Sequence, residues 1–368
     1  LFEGSAFSNV DACLILMVLF FKFKLTRECL NQILFIFSAL LPSSNTLPNT
    51  AFKFFKLLSG FQRGTEVQTH YFCKNCQEYL EVDMPACPSC DEECQDRGSF
   101  FQMRLTDTLR SFLENDKIYK YFMRGVSSTT DPHLRDIVDG AMYQGSAAHS
   151  SKFNFTLLWN TDGVQVFKSS ARSLWPVHCV IPELPPLIRK KFQILTLLWF
   201  GVKPLMNTFL KPFCMELRDL ATNGLTWRHP ETGKTVTSYV FAPVSSVDAV
   251  ARAMLQGIQQ FNGLYGCSFC EHPGKSQLLP SKGHVHVYIP GKTYTLRNGQ
   301  RMRRQAEQAV RKGHPVKGVK GPTVVNLIPG FDCSTGFIVD YMHCVLLGVA
   351  RTFLCLWFDT KHHGQPYY

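Results

Sequence analysis

The chain of 368 residues is 45% hydrophobic and 13% aromatic, which excludes a disordered polypeptide and leaves ample length for two or three domains with a real core. Lys and Arg outnumber Asp and Glu by 39 to 28, a formal charge of +11, so the surface favours a polyanion, with nucleic acid ahead of an anionic membrane. The 14 cysteines are mostly not a disulfide framework; several stand at metal-ligand spacing, which suits a reducing compartment, cytosol or nucleus.

Residues 1–66 read as a helical N-terminal segment, and a start at Leu1 rather than Met fits a piece of a longer protein. Residues 12–21 are uninterruptedly apolar between Asp11 and Lys22. That run is short of the roughly 20 residues a membrane span needs, and its flanks do not make a signal peptide, so a buried helix or strand is expected. Residues 25–41 are loosely amphipathic, and Phe52, Phe55 and Leu58 recur at helical spacing.

Residues 67–98 carry Cys73-x-x-Cys76 and Cys87-x-x-Cys90, the layout of a four-cysteine zinc ribbon. Each pair can turn back on one ion, and four sulfurs close its coordination sphere, so this zinc is structural. Cys94 is left over as a free thiol. Residues 99–150 read as a helical linker, with Phe101, Leu105, Leu109 and Phe112 on one face.

The pattern turns α/β over residues 151–270. A β-rich run enters at Phe155 and reaches Asp162-Gly163, followed by the alternating Val164-Gln165-Val166. This predicts a hairpin with the acid at its tip, against the bland reading of a plain Asp-Gly turn. Residues 174–181 form a further strand, residues 194–201 a buried strand or helix, and residues 207–220 a helix. Residues 236–247 approach Asp248 as a strand, and a helix follows. Asp248 alone reads as an N-cap; its interest is that it is the second acid at a second strand end. The next knuckle, Cys267-x-x-Cys270, has only two cysteines, and a second zinc would draw on His272, His284, His286 or His343, among which the sequence does not choose.

Residues 271–368 read as a basic insertion and the start of a later helical part. From Lys292 to Lys320 nine Lys or Arg face a single acid, Glu307. The run includes Arg297, Arg301, Arg303, Arg304, Arg311, Lys312, Lys317 and Lys320, and with few aromatics it suits contact with backbone phosphates more than base stacking. Against the bland reading of a solvated face, these are the candidate nucleic-acid contacts. Asp340-x-x-His343 heads an apolar, helix-like segment.

Taken in order, TDGVQVFKSS, LWPVHCVIPELPP, LWFGVKPLMNTFLKPF, QFNGLYGCSFCEHPG and DYMHCVLLGVARTFLCLWFD resemble the transposases of CACTA (En/Spm-like) DNA transposons, in particular the animal members of the Tnp2-type group. The resemblance covers residues 45–368. It implies a DDE transposase with an RNase H-like core, Asp162 and Asp248 as the first two catalytic acids, and magnesium or manganese beside the structural zinc. It makes Cys267 and Cys270, with Asp340 and His343, the family's metal-ligating elements. It also implies transposon ends and target DNA as partners, self-association in the parent protein, a nuclear location and no membrane. Val250 stands where many relatives have Pro. The family's third acid, a glutamate, is expected beyond Tyr368, so the chain alone is expected to be inactive; the alternative is a domesticated or decayed relative that only binds DNA or protein.

Overall fold

Two units organise the chain, Leu1–Gly64 and Thr65–Tyr368. The computed structural model describes residues 1–59, 66–81, 84–93, 97–125, 133–166, 172–278, 283–289, 291 and 293–366. Cys94, residues 167–170 of the Asp-Gly segment, and Lys292 therefore lie outside the described residues.

The first unit is three helices: α1 (Asn9–Lys22), α2 (Arg27–Leu40) and α3 (Ala51–Ser59). Ser8 and Asp11 close a capping box that starts α1 just ahead of the apolar run. Cys13 and Leu16 from α1, Leu30 and Leu34 from α2, and Ala51, Phe54 and Leu58 from α3 make its core. The buried stripe of α3 thus runs through Phe54, with Phe52 turned to solvent rather than inward. No helix among the described residues is long and apolar enough to cross a membrane.

The second unit opens with β1 (Val67–Cys73), β2 (Tyr79–Leu80) and β3 (Arg97–Met103), then α4 (Leu105–Leu113), α5 (Asp116–Gly125) and the short α6 (Ala141–Gln144). β4 (Phe155–Thr161), β5 (Val164–Gln165), β6 (Ser173–Val180), α7 (Pro186–Arg189), β7 (Ile194–Gly201), α8 (Met206–Phe209) and α9 (Lys211–Thr222) follow. After a small ribbon of β8 (Leu225–Arg228) and β9 (Thr235–Ser238) come β10 (Val240–Val247) and α10 (Ala249–Leu255). A second ribbon, β11 (Lys275–Leu278) and β12 (His284–Val287), leads to α11 (Gly299–Lys312), β13 (Phe337–Val339) and α12 (Arg351–Phe358). A π-type turn series from Met342 to Ala350 runs directly into α12.

One nine-stranded sheet runs in the order β13-β10-β4-β6-β7-β3-β1-β2, with β5 also on β6. β13, β10 and β4 are mutually parallel, and every pairing from β4 outward to β2 is antiparallel. α9 covers the middle of the sheet with Phe213, Leu217 and Leu220 buried, the Phe213 ring standing 5.6 Å from Trp159.

Two expectations change here. Residues 97–103 form a strand rather than the start of a helical linker: all seven pair with β1, and Phe101 and Gln102 pair with β7, so the cysteine ribbon is built into the main sheet. The full ladder outweighs a local helical spacing of four apolar residues. Nor is Asp162-Gly163 a hairpin tip. β4 pairs Thr161 with Val177 and β5 pairs Val164 with Leu174, the same register on the same partner, so chain direction does not reverse at the acid. The pair is a break inside one long strand, both parts of which run antiparallel to β6. The Trp175 ring lies over Gly163 and would collide with a Cβ there, which explains the glycine.

Candidate acidic centre and metal-holding cysteines

Three β-rich runs each end in an aspartate. Asp162 follows Thr161 of β4, Asp248 follows Val247 of β10 and Asp340 follows Val339 of β13. The three strands are adjacent and parallel, so their C-terminal ends lie at one edge of the sheet. Trp159 pairs with Ser245 and Val247 with Val339, and counting forward sets Asp162 level with Asp248 and Asp248 level with Asp340. Neighbouring strands are about 4.8 Å apart, so the acids form one row about 10 Å long.

Each carboxylate has one oxygen fixed by nearby backbone. Asp162 Oδ1 accepts the Gly163 N–H at 2.7 Å, Asp248 Oδ1 accepts the Ala251 N–H at 2.6 Å as the N-cap of α10, and Asp340 Oδ1 accepts the N–H groups of Met342 and His343 at 2.9 and 3.3 Å. Among the described residues, the second oxygens of Asp162 and Asp248 have no hydrogen-bond partner. Asp340 Oδ2 pairs with His343 Nδ1 at 2.6 Å. Asp162 is exposed, and Asp248, Asp340 and His343 are partly so, leaving the row open to solvent. Burial of its inner side, helped by the charges of Asp248 and Asp340, pushes the Asp162 carboxyl above its ordinary value, while the Gly163 N–H and His343 pull it down. The hydrogen bond to Asp340 raises His343 correspondingly.

At the far side of the sheet, the sulfurs of Cys73, Cys76, Cys87 and Cys90 lie within 4.8 Å of one another. Cys73 and Cys90 approach to 3.6 Å and Cys76 and Cys87 to 3.5 Å, close to the roughly 3.8 Å edge of a tetrahedral zinc–thiolate site. The two knuckles repeat one geometry: Gln77 N–H returns to Cys73 O and Asp91 N–H to Cys87 O, with φ of 59° and 55° at Gln77 and Asp91. The Cys76 N–H holds the Cys73 thiol down to about 7 against its burial. The residues present fit zinc. Gln77 also docks the knuckle to the segment before α9, accepting the Leu205 N–H on its side chain and the Thr208 hydroxyl on its carbonyl at 2.6 Å.

The second knuckle is different. Cys267 and Cys270 stand 3.5 Å apart, but among the described residues the ribbon cysteines are the only group of three or more ligands close enough for one ion. His272 meets the Ile289 carbonyl, His286 the Pro273 carbonyl, His284 the Ser276 hydroxyl and His343 meets Asp340. Asp340 and His343 thus join Asp162 and Asp248 rather than the knuckle.

Of the basic run, Arg301, Arg303, Arg304, Arg311 and Lys312 are exposed on α11, and Lys317 and Lys320 are exposed beyond it. Arg297 is the exception at 5% exposure. Its Nε donates to Cys267 O at 2.7 Å and its Nη2 to Tyr265 O and Lys317 O at 2.6 and 3.2 Å, so it braces the knuckle and does not face a phosphate. Arg252, passed over in the sequence, lies between the knuckle and the acid row. Its place one helical turn after Asp248 was the available signal, as was the thrice-repeated ending of a β-rich run in Asp for the role of Asp340 in the row.

A mixed α/β protein with a solvent-facing acid row and a four-thiol metal-holding group is the class these features define. The transposase family tnp2 matches residues 131–320, just over half of the chain, and the chain belongs to that family. No curated protein matches it. The matched segment contains Asp162, Asp248, both cysteines of the second knuckle and all of α11, and it ends before Asp340.

Proposed function

We propose that the acid row is the centre of a DDE-type transposase of the CACTA group, cutting and rejoining DNA at transposon ends. The observation that carries this is the shared level of Asp162 and Asp248 on adjacent parallel strands, with Asp340 beside them. The strand order β7-β6-β4-β10-β13, three antiparallel strands followed by two parallel to the first, supports an RNase H-like core.

Hard carboxylate oxygens suit magnesium or manganese, and a divalent cation would offset the like charges of Asp162, Asp248 and Asp340. Such ions, when bound, activate a water or 3′-hydroxyl and stabilise the leaving oxygen of an in-line displacement at phosphorus. Asp162 and Asp248 would hold such ions through the oxygen each has left, the other being steadied by a backbone N–H. Asp340 orients His343, and the pair closes the row on the β13 side. The exposed cations Arg301, Arg303, Arg304, Arg311, Lys312, Lys317 and Lys320 are the surface offered to DNA phosphates. Zinc in the ribbon is structural. The protein acts in the nucleus, on transposon terminal repeats and target DNA, as an oligomer.

The test is Mn²⁺ binding and metal-dependent nicking of transposon-end DNA by the chain and by the longest protein that contains it. Asp162→Asn and Asp248→Asn should each abolish nicking and weaken Mn²⁺ binding at least about 10-fold. Wild-type cleavage by Asp162→Asn refutes the catalytic assignment. DNA binding with no Mn²⁺ binding that depends on Asp162 favours the non-catalytic descendant.

A further inference from the structure

Arg252 is a charged residue with no part in the acid row itself, yet only 9% of it is exposed. It lies on α10, four residues after the capping acid Asp248. Its Nε donates to Ser268 Oγ at 3.2 Å, and its guanidinium stands 4.9 Å from the Phe269 ring, both residues lying between Cys267 and Cys270. Its Nη1 reaches the carbonyl of Ile338 on β13 at 3.5 Å, two residues before Asp340. One planar fork therefore touches three segments distant in sequence: the helix that begins with Asp248, the second knuckle and the edge strand that ends in Asp340.

We infer that Arg252 is the positioning residue of the acid row, setting β13 and Asp340 at the correct level against Asp248 and recruiting the second knuckle as its support. The inference rests on the acid row being a cation-binding centre, as proposed above. A buried guanidinium is expensive to leave unpaired, and its partners here are a hydroxyl, a carbonyl and an aromatic face. Those partners are satisfied together only when knuckle and β13 are both in place. Burial pulls the Arg252 guanidinium below its ordinary value, and the nearby Cys344, Cys267, Asp248 and Asp340 act in the opposite direction. This gives the Cys267-x-x-Cys270 segment a role that needs no metal of its own: it carries Ser268 and Phe269 to the back of the acid row.

Charge and geometry are separable by substitution. Arg252→Lys keeps the charge and loses the fork, Arg252→Gln loses both, and Ser268→Ala removes one partner while leaving the arginine. Two readouts are taken on the full chain: Mn²⁺ affinity by electron paramagnetic resonance, and amide exchange of residues 337–339 compared with β4 and β6 in metal-free protein. Zinc content of the ribbon serves as the check on folding. Positioning predicts that Arg252→Lys and Arg252→Gln both weaken Mn²⁺ binding about 10-fold or more and speed exchange in β13 about 10-fold, with β4 and β6 unchanged and Ser268→Ala intermediate. Wild-type affinity and exchange in Arg252→Lys, or tighter Mn²⁺ binding in Arg252→Gln, overturns the inference in favour of simple charge screening. Uniformly faster exchange across the sheet overturns it in favour of a general structural role. If the wild-type chain binds no Mn²⁺ at the acids, the functional reading falls, and β13 exchange alone then decides the role of Arg252.

Discussion

Glu183→Gln should make the second unit more stable at alkaline pH and remove part of its pH dependence. The Glu183 carboxyl is 2% exposed, and its Oε1 accepts the Thr156 N–H at 2.7 Å and the Thr156 hydroxyl at 3.0 Å, pinning the start of the strand that ends at Asp162. Burial pushes the group from an ordinary 4.5 up to about 7, against the hydrogen bonds that favour its charge. Because the folded value lies above the unfolded one, the native chain holds the proton more tightly. Stability is therefore greatest below the ordinary value, falls as pH rises through the interval from 4.5 to about 7, and levels off above it. At about 1.4 kcal/mol per unit, the loss is on the order of 3 kcal/mol. Gln keeps the carbonyl that faces Thr156 and cannot ionise. Urea unfolding at about pH 5 and about pH 8, followed by tryptophan fluorescence, compares the two, and the pairwise difference cancels other titrating groups. All five tryptophans fall in the second unit, so the signal reports on it alone. Parallel pH profiles for wild type and Glu183→Gln would show that Glu183 is ionised at neutral pH in the folded chain and refute the reasoning.

Zinc in the ribbon should be present at about one ion per chain, and Cys87→Ser should lose it together with protection of β1 and β3, measured by metal analysis and amide exchange. Retained zinc in the variant would mean that four thiolates are not the ligands. Gly163→Ala drives a methyl into the Trp175 ring and should lower stability by about 1–3 kcal/mol in thermal unfolding, with cleavage impaired because Asp162 is next in the chain. For the basic surface, Arg303→Ala with Arg304→Ala should reduce the slope of log affinity against log salt for DNA by about 0.9 for each phosphate no longer neutralised, without loss of stability. Arg297→Ala should instead lower stability by about 1–3 kcal/mol, since it leaves three backbone carbonyls without their donor.

What the sequence disclosed was what is encoded locally. Cys73, Cys76, Cys87 and Cys90 are brought together by two tight loops within one short segment, so spacing alone announces them. Asp248 was legible because an apolar run stopping at an acid before a helix marks a strand end, whereas Asp162 turned out to interrupt a strand that continues on the same partner. The Asp-Gly pair was misleading for a physical reason: its turn tendency is local, whereas the continuous register of β4 and β5 on β6 is set by pairing across a loop. Phe101 and Met103 read as helical for the same reason, since their strand partners lie far away in sequence, on β1 and β7. Arg297 shows the limit of counting charge. Nothing in its neighbours tells that it turns inward to carbonyls on either side of it in sequence, while Arg301, Arg303, Arg304, Arg311 and Lys312 face water.

Asp162 and Asp248 follow strands paired on both flanks, but Asp340 follows a three-residue strand at the margin, bound on one flank only among the described residues. Fraying begins at such margins, with a free energy well below that of global unfolding. When β13 lifts away, the row loses one negative charge and its histidine while the other two acids stay seated. The number of carboxylates standing at that edge can thus toggle between three and two in a molecule that is otherwise fully folded.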